Sequence, residues 1–378
     1  MTTSDTRSAL ERFPVLQPDS GELPGGAYLG SGPENLFWGR LPGQDDEARA
    51  AVSPGEVITV DTLSHEGILE DQGRDPKAFF ARYGVAAADV LADAQDLAGS
   101  DVPHDFDDDG PHVITGPVAV RGAEPGDLLA ITVLALIPRV GYGLVSARHG
   151  FGALPGEMPD PDGGDPVNTF ATAHPDGGVG TGAMRVAADD PSRGEIRFPL
   201  RPFLGVMGLA TAGPDRLHSV PPGVFGGNLD VSLLGVGSTL YLPVQVPGAM
   251  AYFGDPHFAQ GNGEVALTAF EASLRATVRL DVIPGGAALR PGGGTLRPFA
   301  ETDEYLVPIG LDEDLDEAMR DCVRSALALL KTDYGIEKHV AMAYLSAATD
   351  FSVSQVVDAV KGIHATIRKS DFRDVHPA

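Results

Sequence analysis

Along most of this chain apolar and polar residues alternate in short runs that end at glycine or proline, the pattern of strands joined by tight turns. In "SPGEVITVDTLS" a Pro-Gly turn leads into Val57, Thr59 and Asp61 on one face and Ile58, Val60 and Thr62 on the other. "AEPGDLLAITVLALI" repeats the device, with Pro125, Gly126 and Asp127 turning the chain into an apolar strand over 128–137. Short strands are also expected through "GSTLYLPVQVPGAMAYFGD", and "VALTAFEASLRATVRLDVI" reads as one long strand or two. Residues 76–99 are more helical than their surroundings and suit a lid or outer layer. Residues 150–195, rich in Gly, Pro and Asp, predict a long surface loop or short strands, and "ALRPGGGTLRPFAE" a turn or mobile link.

The period changes only near the end. In "GLDEDLDEAMRDCVRSALALLK", Leu315, Met319, Cys322, Ala326 and Leu330 recur at three- and four-residue spacing, with acids in the first turn where the helix dipole favours them. A second helix is expected over 334–348 with Val340, Ala343, Tyr344 and Ala347 inward, and a third in "SVSQVVDAVKG" capped by Ser352 or Ser354. The pattern therefore predicts a mainly β protein, a β-sandwich or barrel-like body with an α+β C-terminal part ending in helices. The expected divisions are a polar arm over 1–25, a β-rich unit over 26–150, a second β-rich unit over 151–300 with the densest chemistry, and a helical part over 301–378.

Composition supports this: 48 glycines and 31 prolines in 378 residues exceed the usual combined share of about 12% and favour many turns. The formal net charge of −26 repels phosphate backbones and anionic lipid, so nucleic acid and membranes are not expected partners. A small neutral molecule is. The single cysteine, Cys322, rules out an internal disulfide framework and lies in a helical pattern, so it reads as core. The start, "MTTSDTRSALERFPV", lacks a signal-peptide core, and the longest apolar run is too short to span a bilayer. A soluble cytoplasmic protein is expected.

The densest chemistry is "GDPHFAQGNGE". Asp255 and His257, two apart on an extended segment, share a face and suit zinc or a harder divalent ion, and Gln260, Asn262 and Glu264 follow among glycines. A solvated polar turn is the alternative. "RLHSVPPGVFGGNLDVSLLG" carries His218, Asn228 and Asp230, and "PHDFDDDGPHVITGPV" carries His104 and His112 around the acids 105–109, either a solvated turn or a calcium loop of unusual spacing. GxSxG, a P-loop and the dinucleotide-binding glycine motif are absent.

The order "GPHVITGPVAVRGAEPGD", then "HSVPPGVFGGNLDVSLLGVGSTLYLPVQVPGA", then "GDPHFAQGNGEV" resembles the acetamidase/formamidase family, closest to its acetamidase-like branch, from "ENLFWGRLP" to "SVSQVVDAVKGIHATIRK". The resemblance implies hydrolysis of short linear amides to carboxylate and ammonia, metal ions in at least some members, and a β-rich body. Its motifs fall on His112, on Asn228 and Asp230, and on Asp255, His257, Gln260 and Glu264. Asn262 stands where the family usually has Asp, Phe37 where relatives often carry His, and "TLSHEGILEDQGRDP" brings His65, Glu66 and Glu70 near the family's site region. On that footing His112, Asp255 and His257 are the expected ligands of a divalent metal, zinc before calcium. Glu264 is the expected general base and later acid, and Asp230 orients a ligand or the leaving amine. Asn228, Gln260, His218 and His65 are the expected substrate contacts. A homo-oligomer is expected. A lactam-type amide, or a non-catalytic binding role, is the alternative.

Overall fold

The computed structural model describes residues 12–24, 26–148, 150–159, 164, 166–188, 190–289 and 297–376. Strand exceeds helix, 36% against 18%, and forms two sheets, neither closed into a barrel. The nine-stranded sheet runs, in spatial order, Ala27–Leu29, Glu56–Asp61, Leu274–Ile283, Leu128–Pro138, Thr239–Pro243, Phe299–Glu301, Tyr305–Asp312, Lys361–Arg368 and Asp350–Gln355. The eleven-stranded sheet follows Glu195–Pro199, Thr181–Arg185, Val167–His174, Tyr142–Ala147, Phe270–Glu271, Ala251–Ala259, Phe203–Leu209 and Gly226–Asn228. From Ala251–Ala259 the strand Val113–Val120 branches off and pairs in turn with Leu36–Trp38 and Ala50–Val52. One contiguous apolar cluster takes Val60, Leu129, Ile131 and Val278 from the first sheet and Val113, Leu144, Leu204 and Phe253 from the second. The sheets thus share a core, as in a sandwich.

The Gly/Pro/Asp-rich segment after residue 150 holds the strands Val167–His174, Thr181–Arg185 and Glu195–Pro199. Part of it, and half of "ALRPGGGTLRPFAE", lies outside the described residues. Residues 76–99 form two short helices, Pro76–Ala81 and Ala92–Ala98, rather than a single long one.

The acid-led helix spans Leu315–Tyr334, with Asp314 capping the amides of Asp316 and Glu317 and Gly335 closing it in the left-handed conformation. It lies so close to the strand Tyr305–Asp312 that a Cβ on Gly310 would come within 2.2 Å of the Cys322 amide. Cys322 is core, its thiol pKa pushed up by burial. Leu315 and Met319 are more than a third exposed, so the buried stripe is Ala318, Cys322, Ala326, Leu329 and Leu330. The next helix, Lys338–Ala348, buries Ala341 and Leu345 against Leu330 and Ile367; the expected face is rotated, and Val340 is 59% exposed.

The third expected helix is a correction. "SVSQVVDAVKG" begins in the strand Asp350–Gln355, turns, and pairs back along Lys361–Arg368. Val353, Val356, Val357, Val360 and Ile363 are β-branched and resist helical rotamers. The returning strand is also held on its other edge by Tyr305–Asp312, a tertiary partner that local periodicity does not reveal.

Two fully buried arginines anchor the start of the described chain. Arg275 grips Asp61 through two bonds of 2.6 and 2.9 Å and donates to the Ser20 carbonyl, while Arg139 pairs with Asp93 at 2.8 Å and donates to the Leu16 carbonyl. Tyr28 adds its hydroxyl to Asp61, and Thr115 of the second sheet bonds the Asp61 carbonyl. Charged hydrogen bonds therefore tie Leu16 and Ser20 to Arg139 and Arg275. Replacing Asp61→Asn strips one partner from a buried pair and is expected to cost about 3–5 kcal/mol in urea unfolding.

His364 is buried, bonds Ser354 Oγ at 2.8 Å, and has its pKa pushed down by burial to about 4. The fold favours the neutral ring. Its contribution is complete above the unfolded value near 6.5 and is lost as pH falls from there towards 4, at about 1.4 kcal/mol per pH unit. Urea midpoints measured between pH 7 and 4.5 are expected to fall less steeply in His364→Gln than in the wild type.

Candidate active site

The strand Ala251–Ala259 sets the centre. Asp255 and His257 lie on one face of it, as alternate strand residues do, with Pro256 between them. The neighbouring strand pairs Leu204 with Pro256 and Val206 with Gly254. Opposite Asp255 stands Gly205, where an added Cβ would lie 2.4 Å from oxygens of both Asp230 and Asp255. The absence of a side chain at 205 leaves room for these carboxylates to meet. Asp230 follows the strand Gly226–Asn228, and its backbone is tied to the Gly205 carbonyl. Asp230, Asp255 and Glu264 all adopt positive φ, between 46° and 49°. Each such non-glycine costs of order 1–3 kcal/mol, and strain of this kind collects where side chains must be aimed.

His65, from the loop after Glu56–Asp61, and His112, just before Val113–Val120, converge on the same point. His65 Nδ1 lies 3.7 Å and His112 Nε2 4.0 Å from Asp255 Oδ1, and His257 Nε2 lies 2.9 Å from Asp255 Oδ2 and 2.9 Å from Glu271 Oε1. His257 Nδ1 is 3.7 Å from Asp230 Oδ1. Every one of these groups is buried, Glu264 being the most exposed at 7%. The other nitrogen of each ring is held from outside: His65 Nε2 by Glu66 at 3.5 Å, His112 Nδ1 by Ser219 Oγ at 2.9 Å, and His257 Nδ1 by Gln260 Oε1 at 3.1 Å. Glu66 is itself fixed by Ser146 and Gln72, and sits 3.9 Å from Arg148.

The electrostatics follow from burial and crowding. Burial pushes Asp230 up to about 7, with the Asp255 charge adding to the effect. Burial and then the Asp230 charge hold Glu264 and Asp358 well above the usual carboxylate range, and burial raises Glu271. Burial works against ionised Asp255 too, but His257 and His112 outweigh it and hold its carboxyl below the usual range. For His257 the carboxylates of Asp255 and Glu271 outweigh burial and raise the pKa. Burial drops His112 to about 4, leaving a neutral ring.

Two groups of donors are close enough to hold a metal: His65, Asp255 and Glu271, and Asp230, His257 and Glu264, the donor atoms of each within 4.8 Å of one another. His65 Nδ1, Asp255 Oδ1, His257 Nε2 and Glu264 Oε2 are buried without hydrogen-bond partners, so both groups keep donor atoms free of hydrogen bonds. Donors bound to one ion at about 2.0–2.2 Å sit roughly 3–3.5 Å apart; the 2.9 Å between His257 and Asp255 lies near that range, and the 3.7 and 4.0 Å of His65 and His112 from Asp255 exceed it.

All the residues singled out from the sequence can be placed. His112, Asp255, His257, Asp230, Glu264 and His65 come together. Asn228, two residues before Asp230, is buried with Oδ1 unpartnered. Gln260 is engaged within the protein: it holds His257 and donates to the Asp230 and Ser354 carbonyls. His218 is half-buried one step outside, next to Ser219, and accepts from the Val220 amide. Asn262 bonds Ser232 and faces solvent, so its departure from Asp leaves the buried cluster intact. Phe37 packs in a separate apolar cluster with Ile114 and Phe225. The acids 105–109 form a turn clamped by Arg40 through Asp108 and Asp109. Sequence reasoning missed Gly205, Glu271 and Asp358. Glu271 alternates with apolar neighbours like any strand residue, and Asp358 fell inside the misread helix.

Residues 209–368 match the model of the Acetamidase/Formamidase family. The acetamidase of Mycolicibacterium smegmatis is 30% identical over 54% of this chain and 62% of its own length, and the formamidase of Methylophilus methylotrophus 28% over 46% and 52%. Over those residues the chain is similar to the acetamidase/formamidase family. It spans about half to three fifths of the length of these curated relatives. The fold is that of solved structures: an acetamidase from Bacillus halodurans matches with a TM-score of 0.68 at 24% identity, covering 92% of this chain and 99% of that one. An acetamidase from Yersinia enterocolitica gives 0.67 at 23%, covering 93% and 94%. The family match takes in Asp230, Asp255, His257, Glu264, Glu271 and Asp358, whereas His65 and His112 precede it.

Gly205→Ala tests the crowding directly. The added methyl must displace Asp230 or Asp255, and a loss of about 1–3 kcal/mol is expected, as for other overpacked sites, read as a lowered midpoint in urea unfolding.

Proposed function

We propose that this protein is a metal-assisted amidohydrolase that cleaves the C–N bond of a short primary amide to a carboxylate and ammonia. One observation carries the reading: three imidazoles each have one nitrogen held by an outer partner and the other turned to the Asp255 carboxylate. That is the arrangement in which outer hydrogen bonds fix the tautomer and aim of metal-binding histidines. Relatives named acetamidase and formamidase support the choice of substrate class.

Asp255, His65, His112, His257 and Glu271 are the residues that would hold the ion, and mixed imidazole and carboxylate donors suit zinc better than calcium. When bound, such an ion polarises a carbonyl and brings the pKa of its water towards about 7. The remaining work falls to the chain. Asp230 and Glu264, both buried and like-charged when ionised, favour keeping one proton between them. The ionised partner takes a proton from the attacking water and the protonated one supplies a proton to the departing nitrogen. Asn228, with its carbonyl oxygen unpartnered, accepts from the substrate N–H. Burial of the whole set excludes bulk water and strengthens each of these contacts.

Ammonia release from formamide, acetamide, longer amides and a lactam, measured before and after chelation and zinc add-back, tests the reading. Activity on the short linear amides is expected to fall at least about 100-fold on chelation and to return with zinc, in step with cation content by mass spectrometry. Full turnover by rigorously cation-free protein would refute it.

A further inference from the structure

The hairpin that replaces the expected third helix ends in a turn with its own wiring. Gln355 Oε1 accepts from the amides of Val357 and Asp358, its Nε2 donates to the Val360 carbonyl at 2.7 Å, and Ala359 takes positive φ. The hairpin is bolted to the loop that carries Glu264. Gly263 N donates to the Ser354 carbonyl at 2.9 Å, the same carbonyl accepts from Gln260, and Gly263 bridges Gln355. This double attachment brings Asp358, only 6% exposed, against the Asp230 carboxyl, with Asp358 Oδ2 left buried and unpartnered.

We propose that Asp358 is a positioning residue: its carboxyl fixes Asp230 so that Asp230 Oδ1 faces His257 and the space above Gly205. Asp230 needs such a brace. It sits at a strained φ of 48°, and Oδ1 is buried and has no hydrogen bond of its own. A hydrogen bond between two carboxyls needs a donor hydrogen on one of them, which an asparagine amide at 358 would supply. A C-terminal element distant in sequence thereby completes the set of groups around the reacting centre. The kinetic consequence rests on the amide-hydrolase reading, whereas the pairing itself does not.

The test uses Asp358→Ala, Asp358→Asn, Asp230→Asn and the double variant Asp230→Asn/Asp358→Ala, in the full chain with its cation bound. Asp358→Ala is expected to lower kcat about 100-fold with KM changed less than about threefold, and Asp358→Asn to restore kcat to within about fivefold of wild type. In the Asp230→Asn background, Asp358→Ala should have no further effect on kcat, the non-additivity expected of residues acting as a unit. Additive losses overturn the proposal. So does a folded Asp358→Asn without activity, whatever the alanine variant does. If the wild type releases ammonia from no amide, the functional reading fails. The pairing is then decided by the same cycle on urea midpoints: non-additive shifts sustain it and additive shifts overturn it.

Discussion

Around one buried carboxylate, that of Asp255, the rest of the site is arranged. Three imidazoles are directed at it from three separate parts of the chain. An ionised carboxylate out of water is tolerable only with charge or strong hydrogen bonds around it, and the surrounding carboxyls of Asp230, Glu264, Glu271 and Asp358 add negative charge. Among the described residues, the ion pairs reaching Asp255 and Glu271 come from histidines. Such a set offers donors to a cation. The left-handed backbones at Asp230, Asp255 and Glu264 and the bare Gly205 follow from the same demand: the groups must come closer than ordinary strand geometry permits.

The fold meets this demand by holding each element from two sides. The Ala251–Ala259 strand lies between Phe203–Leu209 and Val113–Val120, so the residues aimed into the site belong to a strand with no free edge there. Outer partners do the same for side chains: Ser219, Gln260 and Glu66 each remove a degree of freedom from a ring. The Arg139 and Arg275 clusters act at longer range, locking residues 12–24 and the strand Glu56–Asp61 that leads to His65.

Much of this was legible in the sequence, for identifiable reasons. Strand runs ended by Gly and Pro announced the mainly β body, and the i, i+2 spacing of Asp255 and His257 put both on one strand face. The motif order singles out His112, Asp230 and Glu264, which the fold gathers in one cluster. What escaped was tertiary. Glu271 and Gly205 become chemical only by lying across from His257 and Asp255, and no local spacing encodes that. The run after Ser352 carries apolar residues compatible with either period; its partner strand Tyr305–Asp312 decided for the hairpin. The Leu315–Tyr334 helix was found, yet Leu315 and Met319 lie off its buried stripe because the docking surface, a strand with Gly310 at its centre, sets the rotation.

The groups of the cluster are strung from His65 to Asp358, nearly the whole length of the chain. During synthesis the imidazoles and most of the carboxylates emerge from the ribosome long before the hairpin that braces them. The cluster closes only when the hairpin of Asp350–Gln355 and Lys361–Arg368 has folded back against the loop that carries Glu264.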